Sequence, residues 1–230
     1  KRKEVKKMKK MKKIMLVAIV LVVMAFAVPV SAWVFVPSYG ETGWQTFSYT
    51  YIDPSPFSGT LGIGVSNFAD TDLDSVLLLD NLIGMGPAGN EGFELGNFTG
   101  YTVFGSGAVV GSSATSSGGT VYTPTEGSFM AILTAMDADT SAFGGTDGTY
   151  ITFPLSLLAG DTVMFDWNFL AMDYVPYADF AFLVAWDNTG SIVYQEKLAQ
   201  IGVPEPATLL LLGSGLIGLG YFGRKRMKRK

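Results

Sequence analysis

The regular alternation of apolar and polar residues over residues 161–169 most constrains the fold of this chain. The apolar members of the alternation are Val163, Phe165, Trp167 and Phe169. A period of two residues is typical of a strand that places one face in a core and the other in solvent. We therefore predict a half-buried antiparallel strand at this position.

Short segments of similar character recur along the chain, separated by turns rich in Gly, Pro, Asp and Asn. Residues 178–186 carry apolar side chains on both faces, which predicts a central strand, and the turn at 187–190 predicts a hairpin with residues 191–197. Further strands are predicted at 44–52, 60–66, 75–79, 101–104, 120–122, 128–135 and 150–153. About nine or ten short strands favour an all-β fold, an antiparallel β-sandwich or jelly roll.

Two segments between the predicted strands have a different composition. Residues 105–119 are rich in Gly and Ser and are predicted to form an exposed loop. Residues 155–159 are predicted as at most one turn of helix.

The charged residues are distributed very unevenly. Of 16 Lys and Arg residues, nine lie in 1–13 and six in 224–230, so Lys197 is the only basic residue between them. Residues 33–202 contain 18 Asp and Glu residues and thus have a net charge of −17. Such a segment repels phosphate, which argues against a nucleic-acid partner. The absence of Cys and His from the chain excludes disulfides, thiolate nucleophiles and Cys/His zinc sites.

The N-terminal residues have the three parts of a secretory signal peptide. A basic stretch, 1–13, precedes the apolar residues 14–28, and small residues follow at Val30 and Ala32. We predict export by the Sec machinery, a signal helix and cleavage after Ala32. An uncleaved anchor would need an apolar run of about 20 residues. The predicted organisation is a signal peptide at 1–32, an acidic β domain at 33–202 and a tail at 203–230.

The tail combines a proline-rich motif, an apolar run and a basic end. Val203, Pro204, Glu205 and Pro206 form the motif, and the 16 residues from Ala207 to Phe222 carry no charge. A helix of that length spans roughly 24 Å, close to the thickness of a bilayer core. The basic residues Arg224, Lys225 and Arg226 would remain on the cytoplasmic side. The prolines favour an extended segment that a membrane enzyme can bind, although a simple membrane anchor is the alternative.

Residues 203–208 (VPEPAT), followed by the apolar run and the basic cluster, closely resemble the PEP-CTERM protein-sorting signal of exported bacterial proteins. This resemblance implies recognition by an exosortase, anchoring in the inner membrane before processing, and then release to the cell surface or extracellular matrix. It also implies an association with exopolysaccharide or biofilm. Residues 160–170 and 177–182 are similar to an uncharacterised β-sandwich domain of such proteins, which implies a fold but no catalytic residues.

Two aspartate groups are candidates for a calcium site. Asp70, Asp72 and Asp74 have the spacing of the first three ligands of a calcium loop, but the Gly and Glu expected later in that loop are replaced by Ser75 and Asn81. An acidic loop is therefore the favoured interpretation and calcium the alternative. Residues Asp137, Asp139 and Asp147 form a weaker second group.

The sequence favours binding over catalysis. Without His or Cys, the plausible catalytic groups are a carboxylate pair, Asp166 and Asp173, as in glycoside hydrolysis. Asp166 lies on the polar face of its strand, where solvated carboxylates are expected, so we predict that the protein is not an enzyme. We expect Trp167 and Trp186 in the core, whereas the sequence leaves open whether Trp33 or Trp44 stacks on sugar rings.

Together these features predict an exported cell-surface or matrix protein with a structural or adhesive role linked to exopolysaccharide. A calcium-dependent carbohydrate-binding module is the alternative. No cofactor is expected other than calcium.

Overall fold

The computed structural model describes residues 33–202, which contain fourteen β-strands and a single turn of 3-10 helix. The predicted signal helix, the cleavage site at Ala32 and the whole segment 203–230, with its transmembrane helix, lie outside the described residues. The strands are β1 (Val34–Val36), β2 (Gln45–Thr50), β3 (Phe57–Ser66), β4 (Val76–Ile83), β5 (Thr102–Phe104), β6 (Ala108–Gly111), β7 (Ala114–Thr115), β8 (Val121–Tyr122), β9 (Met130–Thr134), β10 (Ala138–Asp139), β11 (Asp147–Leu157), β12 (Thr162–Leu170), β13 (Phe180–Asp187) and β14 (Ile192–Ile201). The 3-10 turn spans Ser141–Phe143.

These strands form two large sheets and a small ribbon. The first sheet has seven strands in the order β1-β14-β13-β3-β11-β10, with β5 also paired to β11. The second sheet has five strands in the order β2-β12-β4-β9-β6, and β7 pairs with β8. All pairings are antiparallel except that of β1 with β14.

The chain crosses directly between the two large sheets eight times, and two of these crossovers are linked by strand pairing. The chain passes from β3 in the first sheet to β4 in the second, and later from β12 in the second sheet back to β13 in the first. Because β3 pairs with β13 and β4 pairs with β12, each crossover is tied to the other through both sheets.

One hydrophobic core receives side chains from both large sheets. The predicted apolar face of β12 lies in it: the exposed fractions of Val163, Phe165, Trp167 and Phe169 are 4%, 0%, 5% and 0%. The all-β prediction is confirmed, as are the central strand β13 and its hairpin with β14. Among residues 33–202, no helix is long and apolar enough to cross a membrane.

Two local predictions were wrong. Leu155 and Leu157 are not helical but end the long strand β11, where their side chains are buried. The predicted loop 105–119 contains β6 and β7. β6 pairs with β9 and packs Ala108 and Val110 against the core, so tertiary pairing outweighs the weak strand propensity of a segment rich in Gly and Ser.

Candidate functional site

Glycines in β3 create an unusual outer surface on the first sheet. Leu61, Ile63 and Val65 of this strand point into the core, so the alternating positions Gly62 and Gly64 lie on the other face. A Cβ atom at Gly62 would lie only 2.7 Å from Cζ3 of Trp186. The missing side chains therefore allow large rings from the neighbouring strands to lie close to the backbone of β3.

Trp186 borders a groove on this outer face, which we call the Trp186 groove. It is lined by Thr60, Phe104, Tyr150, Thr152, Trp186, Asp187, Asn188 and Gly190 and encloses about 420 Å³. The Phe104 and Tyr150 rings stack at 4.6 Å between centroids with an angle of 10° between their planes. Aromatic faces thus border the groove on strands from both sides of β3.

An aromatic cluster beside the groove holds Trp186 in place. Phe143, Phe180, Phe182 and Val184 are buried together on the outer face of the first sheet, and Trp186 packs against them half-buried. The indole lies 5.9 Å from the Phe143 ring, centroid to centroid. Trp186 was predicted in the core and is instead half-buried against this outer cluster, because the side chains of β13 that enter the core between the sheets are Ala181, Leu183 and Ala185.

The rim of the groove is polar, and its carboxylate is ionised. Asp187 Oδ1 accepts hydrogen bonds from the Thr189 hydroxyl at 2.6 Å, the Thr189 N–H at 2.8 Å and the Ser191 N–H at 3.0 Å. These bonds hold the pKa of Asp187 below its ordinary value, and the bond from the Thr189 hydroxyl contributes most. Exposed Asn188 completes the rim. Flat rings beside fixed polar groups suit a ligand with both an apolar ring face and hydroxyl groups, such as a sugar.

A second cavity, of about 340 Å³, opens between the two sheets. Its lining is mainly apolar, and Tyr49 and Tyr194, from different sheets, approach across it with 6.5 Å between ring centroids. The Tyr51 hydroxyl is already used, since it donates to the Ser55 carbonyl at 2.7 Å. This inter-sheet cavity offers few free polar groups for a polymer of hydroxyl-rich units.

The structure connects the two predicted calcium groups through one amide. Asn67 Nδ2 donates to Asp74 Oδ1 at 2.9 Å and to Asp147 Oδ1 at 3.2 Å. Burial is the main cause that raises the pKa of Asp74. Within residues 33–202, no group of three or more Asp or Glu side chains is arranged to hold a metal ion. Calcium binding by Asp70, Asp72 and Asp74 stays a prediction.

The predicted carboxylate pair is divided between two environments. Asp166 accepts hydrogen bonds from Thr46 and Asn81 of the second sheet and from Thr125 of the segment before β9. Asp173 is buried in the loop after β12, with Oδ2 unpartnered. The two carboxylates share no hydrogen-bond partner among the described contacts.

Asp166 is instead linked to a carboxylate that sequence reasoning missed. The Thr125 hydroxyl contacts Asp166 Oδ2 at 2.8 Å and Asp80 Oδ2 at 3.1 Å. Asp80 is fully buried and also accepts the backbone N–H groups of Asn81, Thr125 and Glu126. It therefore serves as an anchor for the turn at 125–126. Its position inside the apolar run of β4 was the available signal, since a charge there needs partners.

The remaining tryptophans have different surroundings. Trp167 is buried in the core, as predicted. Trp33 is 41% exposed, and Trp44 donates its indole N–H to the Thr123 carbonyl at 3.2 Å. Neither lines the Trp186 groove.

The described body ends at Gly202, whose N–H donates to the Val36 carbonyl at 2.9 Å. Residues 202–226 match the family model of the PEP-CTERM protein-sorting motif. The chain carries an exosortase sorting motif. The predicted resemblance is thereby confirmed, and the PEP-CTERM motif implies export with a membrane-anchored tail before cleavage. No curated protein and no solved structure matches the chain.

Proposed function

We propose that this protein is a component of the cell surface or extracellular matrix with a structural or adhesive role on exopolysaccharide. The PEP-CTERM motif supports export and processing by an exosortase. The proposed body is an antiparallel β-sandwich, which the shared core and the paired crossovers support. Signal-peptide removal after Ala32 and export through the Sec machinery complete the proposed route.

The Trp186 groove carries the binding part of the proposal. It places the Trp186 indole and the stacked Phe104–Tyr150 pair beside Asp187 and Asn188 on an open sheet face. A long polymer can run along such a face without entering a closed pocket. Stacking on aromatic rings supplies affinity, and the polar rim supplies the hydrogen bonds that orient sugar hydroxyls.

The test is retention of the purified full-length protein on polysaccharide prepared from its native cells. We expect Trp186→Ala to weaken binding at least about tenfold, which corresponds to about 1.4 kcal/mol. Asn188→Ala, an exposed rim position, should weaken binding without disturbing the aromatic cluster. Trp33→Ala is the matched control because Trp33 lies outside the groove. Unchanged binding by both groove variants would refute this site.

The same assay separates the alternative functions. For a calcium-dependent carbohydrate-binding module, a chelator would abolish retention, and calcium would raise the melting temperature of the wild type but not of Asp70→Asn. For an enzyme, labelled polysaccharide would be hydrolysed, and Asp166→Asn or Asp173→Asn would stop the hydrolysis. If the Trp186 groove binds the polymer, we expect retention that resists the chelator and no hydrolysis of the polysaccharide.

Processing is tested separately by intact-mass measurement and cell fractionation. We expect loss of the chain after about Val203 and recovery of the product outside the membrane fraction. An intact tail retained in the membrane would instead identify a simple anchored protein.

A further inference from the structure

Three loops at the end of the body from which the tail leaves, residues 37–44, 67–75 and 171–179, form a surface that we call the exit pole. Ile201 N–H donates to the Asp179 carbonyl at 2.9 Å, which ties the last strand to this pole. The Tyr39 N–H donates to the Asp173 carbonyl at 3.0 Å, and the Phe68 N–H donates to Asp179 Oδ1 at 3.1 Å. The three loops therefore form one continuous surface beside Gly202.

The chain between this surface and the apolar tail is very short. Only the four residues 203–206 separate Gly202 from Ala207. Five Cα–Cα steps reach at most about 18 Å even when fully extended. Because the tail is anchored in the membrane before cleavage, an enzyme bound to residues 203–206 must lie against the exit pole. Contact between them follows from chain length.

The exit pole also has the composition of a recognition surface. Apolar and aromatic side chains there are unusually exposed: Tyr39 48%, Phe68 38%, Leu73 51%, Tyr174 41% and Val175 51%. The Tyr39 and Tyr174 rings lie 6.1 Å apart, and Tyr177 packs edge-on against Tyr174 at 5.4 Å. Clustered tyrosines are enriched in protein–protein interfaces, where they supply large contact areas at low entropic cost.

The charge of the pole indicates the chemistry of its partner. Its three loops contain six acidic residues and no Lys or Arg, and four of the six are exposed or half-buried: Glu41, Asp70, Asp72 and Asp74. Asp72 is exposed and makes no hydrogen bond through its side chain among the described residues. An acidic surface is repelled by anionic lipid headgroups and attracted by basic protein surfaces.

We propose that the exit pole is a docking surface for a basic patch on the external side of the membrane enzyme that cleaves the tail. This inference rests on the proposed processing by an exosortase and deepens it. Recognition then involves the folded body as well as the motif at 203–206. The pole raises the effective concentration of the motif at the enzyme, since the two contacts lie on one chain.

The experiment measures the rate of precursor processing in native cells by pulse labelling of the full-length chain. We expect Tyr174→Ser to slow processing about tenfold, as for loss of a central interface tyrosine. Asp72→Asn should slow it about threefold and Asp72→Lys further, because reversal of the charge repels a basic patch. Matched controls away from the pole are Tyr49→Ser, whose side chain is 43% exposed, and Glu126→Gln, also at an exposed position.

The outcomes distinguish among three cases for the exit pole: docking on the enzyme, contact with the membrane, and no role in processing. Slower processing in the order wild type, Asp72→Asn, Asp72→Lys, with unchanged controls, supports docking on a basic enzyme surface. Faster processing of Asp72→Lys would identify the anionic membrane as the occupant and overturn the proposal. Wild-type rates in every pole variant would also overturn it while leaving processing itself established. An unprocessed wild-type chain would refute the proposed processing and this inference together.

Discussion

Asp179 provides a direct test of how the exit pole is stabilised. Its side chain is fully buried, with Oδ1 accepting the Phe68 N–H at 3.1 Å and Oδ2 accepting the Ser75 hydroxyl at 2.7 Å. Burial disfavours the charged form and, despite these bonds, raises the pKa from 3.8 to about 7; the nearby charges of Asp173 and Asp70 act in the same direction.

The pH dependence follows from this raised pKa. Asp179 stays protonated in the folded state at pH values where the unfolded chain has already lost its proton. Its contribution to stability is therefore complete below pH 3.8 and is lost as the pH rises through about 7. The pKa difference corresponds to a loss of about 4 kcal/mol in the free energy of unfolding.

The variant Asp179→Asn isolates this contribution, because the amide resembles the neutral acid and keeps an acceptor for the Phe68 N–H. Urea unfolding of the purified protein, followed by tryptophan fluorescence between pH 4 and pH 8, measures the difference between wild type and variant. We expect similar stability at pH 4 and a more stable variant at pH 8. Asp72→Asn controls for removal of one negative charge from the same pole. Equal pH slopes for wild type and Asp179→Asn would refute the argument.

Two further predictions concern packing. Gly64→Ala should destabilise the fold by about 1–3 kcal/mol and lower the unfolding midpoint, because the new Cβ would meet the Tyr150 side chain. Gly118→Ala should leave the midpoint unchanged, because a Cβ there would make only an ordinary contact, 3.7 Å from the Ser116 hydroxyl oxygen. Phe169→Ala should lower the free energy of unfolding by about 3–5 kcal/mol, whereas Val109→Ala, 55% exposed, should change it by less than about 1 kcal/mol. Similar losses for Phe169→Ala and Val109→Ala would contradict the assigned core.

The sequence predicted the parts of the fold that depend on local pattern. Alternation in β12 identified both a strand and the face that is buried, since side chains in an extended chain point alternately to opposite sides. The sorting motif was also readable because an enzyme recognises it as a linear segment. Strand β6 was missed because its Gly, Ala and Val residues gain stability mainly from pairing with β9.

The candidate site depends on residues that are distant in the sequence. Alternation placed Trp186 on one face of β13 but did not say that this face points away from the core. That was decided by the neighbouring strand, where Gly62 leaves room for the indole. The same is true of Asp80, whose burial is tolerated only because residues 125–126 supply its hydrogen bonds.

The sequence by itself determined the strand-rich character of the body, its negative charge and the sorting signal at its end, because each is a property of local composition or spacing. Tertiary structure alone decided the Trp186 groove and the exit pole. Both are assembled from loops and strands that only sheet pairing and the crossovers between the sheets bring together. Local pattern specifies which face of a strand is apolar, whereas long-range pairing specifies what lies beside it.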